Sequence, residues 1–233
     1  MKTRIIYMLI VSIVLFISAC KKEGALVDEI NKTEIQKKQI QQIIPDRYLD
    51  SLKKLGLTVN VGITPPNVEG NYAINPLILQ STNIPNDFKI GYRFADARVN
   101  LTKQDADFNI NLLGKSFLSD RDTSITTAIS GSGNDFTIYG KVKSNKAGKV
   151  AEFAIIFSGK FENKTISNFK YGLICISNKN VAPDNTFIKE GQGRFIIESD
   201  GLSTVITERE FLATTPQLQL IQNSGASKFQ LIN

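Results

Sequence analysis

Histidine and tryptophan are absent from this 233-residue chain, and cysteine occurs only twice. Without an imidazole, Ser-His-Asp and Cys-His nucleophilic catalysis have no proton carrier, and zinc sites built on His ligands are excluded. Cys175 lies in the strand-like run Tyr171–Ile176, where a free cysteine acts as a small buried hydrophobe with no base to activate it. A strong excess of one charge sign is also missing. Lys and Arg total 28 against 22 Asp and Glu, and no basic run is interleaved with aromatics, so the charge argues for solubility and against a nucleic-acid partner. With 42% hydrophobic and 21% charged residues, the composition is that of an ordinary folded domain.

The longest apolar run comes first. Lys2 and Arg4 precede a mainly apolar stretch from Ile5 to Phe16, too short for a mature bilayer span, and small residues follow it. This is the pattern of a secretory signal peptide over residues 1–19. Ile17-Ser18-Ala19-Cys20 resembles the lipobox of bacterial lipoproteins, and the resemblance implies cleavage before Cys20, acylation of that residue by chains such as palmitate, and a lipid anchor to a membrane. Several acyl chains, each contributing about 0.8 kcal/mol per buried methylene, hold a protein far more firmly than one. Cys20 is thus the expected lipidation site, and Cys175 is left without a disulfide partner.

Lys21-Lys22-Glu23 places no Asp directly after the Cys, the feature of an inner-membrane retention signal in enteric bacteria, so the outer membrane is the expected residence. Lys22-Glu23 gives half of the surface-export pattern of Bacteroidota-type lipoproteins. Both the periplasmic face and the cell surface therefore stay open. Loss of Lys2 and Arg4 with the signal leaves 26 basic against 22 acidic residues.

The mature chain divides into a lipidated tether over 20–25, a helical lead segment over 26–56, and an antiparallel β domain over 57–233. In the lead, Leu26, Ile30, Thr33, Ile40 and Ile44 recur near helical spacing, Pro45 interrupts, and Asp46 opens a second helix that Gly56 stops. Tyr48, Leu49, Leu52 and Leu55 share a face there, which predicts packing on the domain. The first helix is expected to be a spacer, with a membrane-surface or partner-binding segment as the alternative. Beyond Leu57 the period becomes two: Phe88-Ile90-Tyr92-Phe94, Phe108-Ile110-Leu112, Phe136-Ile138-Gly140-Val142, Phe153-Ile155-Phe157, Phe169-Tyr171-Leu173-Cys175 and Phe195-Ile197. Asn145–Gly148, Glu162-Asn163-Lys164 and Ser199-Asp200-Gly201 carry hairpin chemistry between them.

These strands predict an all-β antiparallel meander, closed into an up-and-down barrel because closure removes exposed edges, with a two-sheet sandwich as the alternative. Gly70-Asn71-Tyr72 resembles the Gly-x-Trp start of lipocalins over those three residues, with Tyr in place of Trp. The whole arrangement resembles uncharacterised Bacteroidota outer-membrane lipoproteins: a lipobox, a helical lead, Thr-Pro-Pro-Asn-Val-Glu-Gly-Asn-Tyr at 64–72, then strands with Gly191-Gln-Gly-Arg194 and Asp200-Gly201. That family implies location and fold, not an activity.

Motifs that carry chemistry are few. Gly114-Lys115-Ser116 has the tail of a phosphate loop, but Asn109 stands where its first glycine belongs. Gly131-Ser-Gly133 and Gly191-Gln-Gly193 lack the third glycine of a dinucleotide site. The pairs Asp105/Asp107 and Asp120/Asp122 lack the closing Glu of a calcium loop, so they read as solvated loop acids. Glu152 and Glu198 fall on strands and are the remaining acid pair for glycosidase-type chemistry. No metal, cofactor or catalytic residue is expected, and the chain is expected not to be an enzyme. Its expected role is binding a small apolar or amphipathic ligand in a barrel lined by its 20 Phe and Tyr residues. The alternative is an interaction or glycan-binding module working from its outer face, for example through Tyr139, Lys141 and Lys143.

Overall fold

A computed structural model describes residues 26–117, 122–123, 126–146, 148–180 and 186–213. The signal peptide, Cys20, the tether and Asp120 lie outside these residues. Among the described residues, helix α1 (26–43) and α2 (Asp46–Lys54) precede twelve strands, and α3 (Glu208–Leu212) follows them. The strands are β1 (Ile63–Thr64), β2 (Gly70–Ile74), β3 (Leu77–Thr82), β4 (Ala97–Thr102), β5 (Asn111–Lys115), β6 (Asp122–Thr123), β7 (Thr126–Ser132), β8 (Asp135–Lys146), β9 (Lys149–Glu162), β10 (Thr165–Asn178), β11 (Gly193–Glu198) and β12 (Leu202–Ser203). The protein is mostly β, as its periodicity predicts.

The meander is real for β7 to β11, which pair in sequence order; β3 then pairs with β11, and β1 lies parallel to β7. A second sheet runs β2-β4-β5-β6. Among the described residues no ring of strands closes, because the path ends at β1 and β3 and leaves β2, β4, β5 and β6 in their own sheet. The chain changes sheet between β2 and β3, at the cis Asn75-Pro76 bond.

Sheet faces explain the long apolar runs. In β9, Phe153, Ile155 and Phe157 turn toward the second sheet, and Ala154 and Ile156 turn the other way, under the lead helices. β10 repeats this with Leu173 and Cys175 on one side and Ile174 and Ile176 on the other. A strand covered on both faces reads as a continuous apolar segment. Tyr72, Ile74, Val99 and Leu101 of the second sheet share the inner core with β8, β9 and β10. Ile43, Ile44, Tyr48, Leu49, Leu52 and Leu57 form the outer core. Gly172 permits this approach: a Cβ there would stand 2.6 Å from Leu57 Cδ2.

Three expectations need correction. Residues 88–94 are not a strand; apart from an isolated bridge between Ile78 and Arg93 they form turns, and Phe88, Tyr92 and Phe94 gather into one aromatic group. Phe88 and Phe94 face buried Arg194, whose Cζ lies 5.2 and 5.9 Å from their centroids, and Tyr92 stacks on Phe88. The segment Ser199–Gly201 does not reverse the chain. β12 pairs with β10 in the same sense as β11 does, so those residues make an excursion between two stretches along one edge. The first part of 108–112 is also loop, with Phe108 at φ 64° and pairing beginning only at Asn111.

Candidate functional site

The space between the sheets is occupied. Phe117, Phe157, Phe169 and Tyr171 pack ring on ring, with Phe117 4.7 Å from Phe157 and Phe157 5.2 Å from Phe169 between centroids. All four are essentially inaccessible to solvent. An apolar ligand would have to displace this packing.

Open hollows occur instead on the surface: one of about 680 Å³ beside α3, lined by Glu208, Arg209, Leu212 and Ala213, and a groove of about 470 Å³ at one end of the sheets, lined by Pro66, Asn67, Asn134, Phe161, Glu162 and Asn163. Two hairpin turns and one loop build the groove. Gly133, at φ 62°, and Asn134 close the β7–β8 hairpin, and Asn163 and Lys164, at φ 51° and 61°, close the β9–β10 hairpin. Asn tolerates the left-handed region, and two such residues in succession match a type I′ turn. The third wall follows β1, where Gln104 Nε2 donates to the Pro66 carbonyl over 2.8 Å.

Hydrogen bonds fix the groove's floor. Phe161 N donates to Asn134 O over 2.7 Å, and Asn134 Nδ2 donates to Glu162 Oε1 over 2.7 Å. Lys160 Nζ lies 2.8 Å from the same oxygen. The Lys160 and Asn134 bonds hold the Glu162 carboxyl below its ordinary range. The result is a half-buried phenyl ring beside side-chain amides and one ionised carboxylate. Amides pair with hydroxyl groups as both donor and acceptor, and an aromatic face receives apolar C–H surface.

The residues read from sequence fall elsewhere. Glu152 pairs across to Ser177 of β10, and Glu198 lies beside Ile197, the partner of Lys170. At about 3.3 Å per residue the two positions are roughly 25 Å apart along β10, far beyond the separation of a glycosidase pair. Glu198 is buried. Its Oε1 accepts from Asn75 N over 2.8 Å, and its Oε2 accepts from Ser203 Oγ. Burial pushes its carboxyl up to about 7, with Asp200 adding to the shift against the Ser203 and Asn75 bonds. It is a structural joint at the sheet change. Asp105 is a turn-former: Oδ1 accepts from Asp107 N and Asn109 N, and bonding from Asn109 holds its carboxyl low. Lys115 sits in β5 and donates to Leu212 O, and Gly131 and Gly193 belong to strands, so none of these glycines opens a phosphate loop. No cluster of three or more metal-ligating side chains occurs among the described residues.

Tyr139 also departs from expectation. It is 1% exposed and lies in the outer core beneath the lead helices, with Ser130 Oγ 3.3 Å from its hydroxyl. Lys141 donates to Gln42 O of α1. The lead segment thus covers that face at Tyr139 and Lys141, while Lys143, opposite Glu152, stays exposed. Sequence reasoning recognised the Asn163 turn but not that it meets Asn67 and Asn134, since that meeting depends on which hairpin tips share an end of the sheet.

Compared with known proteins, the chain matches no family model, no curated protein and no solved structure. No helix among the described residues is long and apolar enough to cross a membrane, which says nothing of strands.

Proposed function

We propose that this chain is a non-catalytic, lipid-anchored protein of the outer membrane, acylated at Cys20, whose two sheets form a sandwich and whose hairpin-tip groove binds a hydroxyl-rich ligand of the glycan class. The lipobox residues and the likeness to Bacteroidota lipoproteins support the location. The observation that carries the binding mode is a filled interior next to an open groove of amides and one aromatic ring. A small apolar ligand held inside a barrel fits less well, because the inner faces are already packed against each other.

The test is titration of the purified protein with soluble neutral oligosaccharides, followed by amide chemical shifts, alongside titration with the apolar probe N-phenylnaphthylamine. The expected result is shifts at 134 and 161–164 that vanish in Asn163→Gly, a change that keeps the positive φ and removes the amide. Saturable probe binding with no oligosaccharide response overturns the reading in favour of an interior apolar site.

A further inference from the structure

Helix α1 is docked only along its second half. From Gln36 onward it is held, with Gln36 6% exposed and Ile43, with Ile44 just past the helix end, fully buried. Its first ten residues project, and Leu26, Val27 and Ile30 are 57%, 55% and 59% exposed. At 100° per residue these three fall within one 100° arc, and Ile35 lies on the opposite side. Glu34 and Lys37 follow on the same arc a turn or more later, so the apolar patch is confined to the first two turns.

The sequence limits what can cover that patch. Only five residues, Lys21 to Ala25, separate Cys20 from Leu26, and five extended residues span at most about 18 Å. If Cys20 carries acyl chains in a leaflet, the start of α1 cannot leave the neighbourhood of the headgroups. A membrane is then always within reach, whereas a second copy must be met by diffusion. Lys21, Lys22 and Lys37 suit anionic headgroups against Glu23 and Glu34, a net excess of one positive charge, while Asp28 and Glu29 lie outside the arc.

We propose that the first two turns of α1 lie in the headgroup layer, with Leu26, Val27 and Ile30 at the acyl boundary, and that this contact sets the angle of the β domain to the membrane. The inference rests on the acylation proposed above. It accounts for large apolar side chains left uncovered beside the anchor, as in helices that lie in an interface.

The experiment uses the full acylated protein reconstituted in phosphatidylethanolamine and phosphatidylglycerol vesicles, with an NBD label on Ile30→Cys, Lys32→Cys or Ile35→Cys. Cys175 is buried and its thiol is pushed up to about 12 by that burial, so it does not compete for label. The Ile30 label is expected to shift to the blue and to be quenched by spin-labelled lipid, while the Lys32 and Ile35 labels are not. Equal quenching at positions 30 and 35, weak or strong, overturns the helix proposal. Vesicle flotation and intact mass separate the two layers: protein that neither floats nor carries lipid mass overturns both proposals, and floating protein with an unquenched Ile30 label overturns only this one.

Discussion

Glu198→Gln isolates one buried carboxyl with little interference, because a chain without histidine has few other groups titrating between pH 5 and 8. In the folded protein this carboxyl is raised from 4.5 to about 7, chiefly by burial. A raised acid favours the folded state while it is protonated. Its contribution is therefore complete below about pH 4.5, declines as pH rises, and is gone above about pH 7. At about 1.4 kcal/mol per unit, the shift corresponds to roughly 3 kcal/mol of stability lost across that window. Glutamine keeps an acceptor for Asn75 N and places an amide donor against Ser203 Oγ, but it never ionises. Urea unfolding midpoints of wild type and variant should be close near pH 5 and separate progressively toward pH 8, with the variant the more stable. Parallel pH profiles would refute the placement of an ionisable carboxyl in a dry joint.

Two further outcomes follow from the core. Asp87 and Arg194 form an ion pair at 2.6 Å with side chains 5% and 1% exposed, and although burial opposes ionisation, the guanidinium holds the Asp87 carboxyl below its ordinary range. Removing one partner strands a buried charge, so Asp87→Ala should lower stability by about 3–5 kcal/mol, and the double change Asp87→Leu with Arg194→Met should recover most of it; equal losses in single and double variants would contradict this. Cys175 should resist iodoacetamide at pH 8 in the native protein and react once urea unfolds it, and rapid native alkylation would place β10 outside the core.

The sequence was most legible where neighbours in the chain are neighbours in space. The alternation in β8, β9 and β10 and the Tyr48-Leu49-Leu52 face of α2 name their own elements, because hairpin pairing and helix period are local. Phe88, Tyr92 and Phe94 misled for the opposite reason. Arg194, which Phe88 and Phe94 face, is about a hundred positions away, and no local pattern separates rings around a cation from rings on a strand. Whether the sheet closes was not legible for the same reason, since the pairing of β3 with β11 and of β2 with β4 is a long-range choice. The groove was half legible: Asn163 announces a turn, but the company it keeps depends on the assembled sheet end.

Gln36 sits where the lead segment meets the first strand, and both of its bonds come from one amide nitrogen, to Gly62 O over 3.0 Å and to Ile129 O over 3.1 Å. A pull on the N-terminus thus meets the two-residue seam between β1 and β7 at Gln36, and the long ribbons β8 to β10 through Gln42, Ile43 and Ile44 just behind it. The first half of α1 therefore hangs as a stalk from a rivet that clasps β1 and β7 together, and the buried turns behind it pass any load on to the broad sheet.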